Sequence, residues 1–245
     1  MFCPHCGKEV NEGQTFCHHC GARIAQLSGP ADTVRTGPAW EDRENRGFFR
    51  ALGATIRESL FAPTEFFRTM KVAGGFSDPL LYAIITGMTG IMLSFFWQAI
   101  LRDQLQTFLP QDVQAVDTIG TAGMAVLAVF TPFFLVMGLF VWAGGLHLLL
   151  LMVRGAKNGF EATFRVAAYS AGSLLFLVLP FCGGLFAVIS SLVVTIIGLK
   201  GAHGIGGGKA AFAVFFPLIL CCALSVLAVA MFISAVAASL GALSH

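Results

Sequence analysis

The sequence has 245 residues, of which 56% are apolar and only 11% charged, with a formal net charge of +2. A chain so poor in charge cannot cover a soluble surface, where about a quarter of residues are charged, and so small a net charge argues against nucleic acid as a partner. Nine of the thirteen acids and nine of the fifteen basic residues precede Pro79, which makes the chain a polar head on an apolar body.

The first residues, Met1 to Cys6, carry neither a basic segment nor an apolar run of about 7–15 residues, so no secretory signal is expected there. Instead Phe2-Cys3-Pro4-His5-Cys6-Gly7 recurs as Phe16-Cys17-His18-His19-Cys20-Gly21. Each Cys-x-x-Cys-Gly turn offers two thiolates, with Gly relaxing the tight backbone, and two such turns complete a tetrahedron of sulfur. Cys3, Cys6, Cys17 and Cys20 are therefore the expected ligands of one structural zinc ion, with iron, a redox dithiol or disulfides as lesser readings. Four thiolates fill the coordination shell, so no open position is expected for catalysis. His5, His18 and His19 read as exposed decorations of the knuckles. Residues 1–25 are too short to bury a core, and the metal would supply most of the folding energy.

Residues 26–46 are polar, carry Pro30, Pro38, Gly29 and Gly37, and read as a flexible tether. Residues 47–75 follow as amphipathic helices. Phe49, Leu52, Ile56 and Leu60 recur at helical spacing with Arg46, Arg50 and Arg57 off that stripe, and Pro63 starts a second segment containing Phe66, Phe67, Arg68 and Lys71. Such a pattern suits either the headgroup layer of a membrane or the cytoplasmic end of a helical bundle.

A helix crossing hydrocarbon needs about 20 mostly apolar residues. Pro79 to Leu101 supplies one span. Ile119 to Val153 and Ala210 to Ser244 are longer, and each reads as one long or tilted helix. Val166 to Leu199 contains Pro180-Phe181-Cys182-Gly183-Gly184, a cluster of helix breakers, and reads as two short spans joined by a hairpin. The expected fold is thus an all-α integral membrane protein, with a five-helix transmembrane bundle over 76–241 and a small N-terminal zinc ribbon. With five spans, fourteen of fifteen basic residues lie on one side of the membrane. The positive-inside rule then predicts a cytoplasmic N-terminus and an outside C-terminus. Cys182, Cys221 and Cys222 fall inside apolar stretches and read as buried small hydrophobes.

Candidate chemistry in the body is sparse. No Asp, Glu, Lys or Arg is expected well inside a span, and His147 is the only titratable group read there. Alone, it reads as hydrogen-bonded structure. Ser170, Ser173, Ser190, Ser191 and Thr195 suit bridging between helices. His203-Gly204-Ile205-Gly206-Gly207-Gly208-Lys209-Ala210 fails the phosphate-loop pattern at its first and last positions and reads as a tight turn.

Ala162-Thr163-Phe164-Arg165-Val166-Ala167-Ala168-Tyr169-Ser170, the Pro180 to Gly184 hairpin, and Ile197-Gly198-Leu199-Lys200-Gly201-Ala202-His203-Gly204-Ile205 with Lys209-Ala210-Ala211 resemble the five-span domain of the Yip (Ypt-interacting protein) family. Pro63-Thr64-Glu65-Phe66-Phe67-Arg68 resembles its prokaryotic members, and the likeness covers roughly Phe61 to Ser239. It implies a helical bundle with a cytoplasmic N-terminus in a bacterial or archaeal plasma membrane. Eukaryotic relatives bind Rab-type GTPases, but their Asp-Leu-Tyr-Gly-Pro element is represented here only by Asp78-Pro79-Leu80-Leu81-Tyr82, so GTPase binding is not carried over. The function expected is a non-enzymatic membrane scaffold or adaptor whose ribbon recruits a protein partner, either another protein or a second copy of the chain. The alternative is a transporter or lipid-moving protein with a path between the helices.

Overall fold

The computed structural model describes residues 6–9, 17–21, 35–106 and 121–243. It divides into two compact units, residues 1–34 and residues 35–245.

The larger unit is helical. After a short 3-10 turn at Ala39–Asp42 and one helical turn at Arg43–Arg46, α1 runs over Phe48–Phe61. Gly47 precedes it at φ 83°, a conformation that favours glycine. Pro63 ends it and opens α2, Pro63–Thr69, at the position where a missing N–H costs nothing. Within α2, Arg68 donates to Glu65 at 2.7 Å, and this guanidinium holds the Glu65 carboxyl below its ordinary range. The long helices follow: α3, Ser77–Gln106, and α4, Thr121–Met152. Then come the short α5, Gly159–Ser170, a 3-10 stretch at Ala171–Val178, α6, Gly183–His203, and α7, Gly207–Leu243.

Among the described residues, four helices are long and apolar enough to cross a membrane: Ser77–Leu101, Val126–Met152, Gly183–His203 and Gly207–Ser234. The long stretches carried by α4 and α7 are each one helix, and the Pro180 turn lies where the sequence places it. The count of five is corrected, because the expected third span is not a single apolar helix. It is α5 continued by the 3-10 stretch, and α5 carries Glu161 and Arg165. The winding tightens where Ser170 Oγ donates back to Val166 O at 2.8 Å and Gly172 follows. This composite arm still runs beside α6 from end to end, with Asn158 Nδ2 on Ala202 O at 2.5 Å and a Gly183 Cβ position 2.3 Å from Phe176 O.

The composite arm is clasped between α3 and α6. A Cβ on Gly90 of α3 would stand 2.1 Å from Leu174 O, so only glycine allows this approach. Trp97 Nε1 donates to Val178 O at 2.8 Å, satisfying a carbonyl that the broken helix frees. Ser173 and Ser190 bridge at 3.1 Å, as the hydroxyls were expected to do, while the buried Thr195 hydroxyl has no partner.

Two departures concern the first forty residues of this unit. Residues 35–46, expected as the end of the tether, are folded onto the bundle: Trp40 is fully buried, its N–H reaches Thr55 Oγ1 at 2.9 Å, and its Nε1 reaches Asp78 O at 2.8 Å. The physical reason is the size of the indole, which finds a seat among Ala51, Tyr82 and the α1 residues despite its polar neighbours. Moreover, α1 buries Ala51, Thr55 and Ser59, and its apolar stripe is only partly covered. Lipid also explains the cysteines: Cys182, Cys221 and Cys222 are exposed on the bundle, not buried within it.

Candidate metal centre and buried polar cluster

In the N-terminal unit, the sulfurs of Cys6, Cys17 and Cys20 lie within 4.8 Å of one another. Gly7 and Gly21, which follow the two knuckles, stand at φ 69° and 70°, so both glycines are required by the backbone. Gly21 N donates to Cys17 O at 2.8 Å and closes the second turn. Cys3 and His5 lie outside the described residues. His18 and His19 are exposed, their rings 4.1 Å apart.

The donor set fits zinc. Four sulfurs at about 2.3 Å from one ion are separated by about 3.8 Å in a tetrahedron, and Cys6 Sγ and Cys17 Sγ are 3.7 Å apart. The thiol of Cys17 is lowered to about 7: its burial opposes ionisation, but hydrogen bonds from the His19 and Cys20 amides and the Cys20 and Cys6 thiols outweigh that. A thiol inclined to ionise in this way is suited to a cation.

In the larger unit the sequence reading missed the most charged interior feature. Arg165, which directly precedes the Val166 to Leu199 stretch, is 1% exposed and wholly surrounded. Its Nε donates to Lys71 O at 2.8 Å, Nη1 to Gly75 O at 2.8 Å, and Nη2 to Glu41 Oε1. Glu41, 7% exposed, also accepts from Tyr169 Oη at 2.8 Å and lies 3.6 Å from Lys71 Nζ. Glu161 completes the ring at 3.5 Å from Arg165 and accepts from Gly75 N at 2.7 Å. Arg165 thus ties the Glu41 turn and the 71–75 loop to α5. One signal was available in the sequence: Arg165 stands between Phe164 and Val166 in an otherwise apolar run, where a guanidinium must be paired.

A second polar chain lies beside it. Asn158 N donates to His203 Nδ1 at 3.2 Å, His203 Nε2 is 3.0 Å from Thr163 Oγ1, and Thr163 Oγ1 is 2.9 Å from His147 Nδ1. A backbone N–H can only donate, so His203 Nδ1 accepts and its Nε2–H donates to the Thr163 hydroxyl, which also meets His147 Nδ1. His147 is therefore not alone; it is hydrogen-bonded structure, as expected, with His203 as an unforeseen partner. The Gly204 residue that ends α6 is left-handed at φ 58°, in the tight turn expected there.

Both polar clusters sit at the end of the bundle where loops 71–75, 154–158 and 204–206 meet. Residues 2–24 match the zinc-ribbon domain, and residues 57–230 match the Yip1 domain, a non-enzymatic membrane family. No curated protein and no solved structure matches the chain. The Yip1 match takes in well over half of the sequence and contains three of the single-helix spans, most of the fourth, Arg165 and both histidines of the polar chain. The chain is an integral membrane protein that belongs to the Yip1 domain family and carries a zinc-ribbon domain ahead of its helical bundle.

Proposed function

We propose that this protein is a non-enzymatic membrane adaptor. One zinc ion held by Cys3, Cys6, Cys17 and Cys20 folds the ribbon, which presents a protein-binding surface at the cytoplasmic face, and the bundle anchors it in a bacterial or archaeal plasma membrane. The partner is a protein of the cytosol or membrane, or a second copy of the chain. The composite arm counts as a crossing in this reading, which puts the N-terminus inside and the C-terminus outside, with basic residues kept on the side of synthesis.

The observation that carries the reading is the internal pairing of the polar groups within the bundle. Every nitrogen of Arg165 is spent on Lys71 O, Gly75 O or Glu41, and the His147–Thr163–His203 chain ends on a backbone N–H. Groups that conduct ions or protons change partners during their work; each of these already has a structural partner within the fold. That favours an anchor over a path between helices. The ribbon is left as the part with surface to offer.

The test compares the intact chain with a Cys17→Ser/Cys20→Ser variant, both purified from native membranes after crosslinking. One zinc per chain and a partner retained only by the intact protein, with equal melting of the two bundles, support the adaptor. The same partners on both, together with a flux defect in vesicles after His147→Ala, support the transporter instead.

A further inference from the structure

Helix α1 turns three distinct faces to its surroundings. At about 100° per residue, Ala51, Thr55 and Ser59 share the face seated on the bundle, and all three are buried. About a quarter turn round lies the stripe of Leu52, Ile56 and Leu60, only half-buried, which Phe49 continues outward at 84% exposed. Beyond that, on the side away from the bundle, stand Arg50 and Arg57. Among the described residues neither has an ion-pair partner, whereas Arg43 is held by Asp78 and Arg46 by Asp42. Glu58 is exposed on the flank opposite the apolar stripe.

The level of this helix is fixed by its contacts. Ser59 Oγ meets Tyr82 Oη at 3.3 Å, and Tyr82 lies about one turn inside the span that begins at Ser77. The contact therefore sets α1 beside the first turns of a membrane-spanning helix, at the depth where that helix meets its polar end. A benzyl group left in water there forfeits its burial energy. Acyl chains beside Phe49 and phosphates beside Arg50 and Arg57 match both chemistries at once.

We infer that the Phe49–Ile56–Leu60 flank of α1 rests in the acyl boundary of one leaflet while Arg50 and Arg57 bind the phosphates of anionic lipid headgroups. The surface goes beyond the adaptor reading and does not depend on it, since neither the ribbon nor a protein partner takes part.

The test uses the full chain in phosphatidylcholine vesicles with and without roughly 30% phosphatidylglycerol, a surface charge of the order found in membranes. In Phe49→Trp, the emission added over that of the unsubstituted protein falls by about half or more when the acyl chains are brominated, and acrylamide leaves it nearly unchanged, as burial in the acyl boundary requires. In Arg50→Gln/Arg57→Gln, the preference for retained phosphatidylglycerol, read by mass spectrometry of co-purified lipid, drops by roughly fivefold per arginine, the equivalent of about 1 kcal/mol each. Both variants change exposed side chains, and an intact α1 seat is checked by unaltered proteolysis near Trp40. Quenching by acrylamide in place of brominated lipid, which would leave the flank to water or a soluble protein, overturns the inference. So does an unchanged lipid preference in the double variant.

Discussion

Arg165 and Glu41, 124 residues apart in sequence, form an ion pair from which solvent is almost wholly excluded. Desolvating both groups is costly, and the arrangement holds because the other two nitrogens of the guanidinium each have a carbonyl or carboxylate to meet. Removing one partner leaves the other charged and unmatched. Arg165→Ala is expected to destabilise the bundle by about 3–5 kcal/mol, measured by denaturant unfolding in detergent. Adding Glu41→Gln to it recovers part of the loss, and Arg165→Lys, without the planar fork, stays well below the native protein.

Trp40 makes a separable contribution. Trp40→Ala empties a fully buried site and is expected to cost about 3–5 kcal/mol, with new proteolytic cleavage between residues 35 and 46. Trp40→Phe keeps most of the packing and loses only the Nε1–H bond to Asp78 O, for about 1 kcal/mol. Trimming the chain to Arg35 should leave the bundle intact, and trimming it to Gly47 should not.

Gly90 and Gly184 form a matched pair of tests. A Cβ at Gly90 collides with the Leu174 carbonyl, and one at Gly184 meets open space. Gly90→Ala should lower stability by about 1–3 kcal/mol or more, because backbone must move, while Gly184→Ala should leave the melting temperature unchanged.

Thr163→Val strips the hydroxyl from between two imidazoles. A loss of about 1–3 kcal/mol is expected, because both rings keep a polar nitrogen without its partner. Thr163→Ser should restore most of it, which separates the hydrogen bonds from the volume.

The ribbon should respond to metal and to pH while the bundle does not. Chelation is expected to erase amide protection at residues 17–21 and leave the melting of residues 35–243 unaltered. The sign of the pH effect follows from Cys17, whose thiol falls from its ordinary value to about 7. The thiolate's contribution is whole above the ordinary cysteine range and is lost as pH falls through about 7, so zinc occupancy should decline on acidification, as read by metal analysis after equilibration at each pH.

Much of this molecule is legible in its residues. Uncharged length alone marks three spans, Pro180-Phe181-Cys182-Gly183-Gly184 marks the turn that opens a fourth, and the repeated Cys-x-x-Cys-Gly marks the ribbon, because each signal is local. What periodicity could not supply was pairing over distance. Arg165 reads as a loop charge until the Lys71, Gly75 and Glu41 acceptors surround it, and Trp40 reads as one residue of a polar tether until Asp78 and Thr55 receive it. The α1 stripe of Leu52, Ile56 and Leu60 packs only partly, and the face that is fully buried is the small one of Ala51, Thr55 and Ser59, which hydrophobic spacing ranks last. The 3-10 stretch depends on Gly90 in another helix, and no window along one segment contains that information.

The Arg165 clasp also sets an order of assembly. Glu41 leaves the ribosome long before its cation exists, and 124 further residues must be made before the guanidinium arrives. Until then a carboxylate waits at the rim of a half-built bundle, and only the completion of α5 allows the early chain to be sealed in. Nascent chains halted before that helix should therefore remain open to protease near their beginning, and chains halted after it should resist.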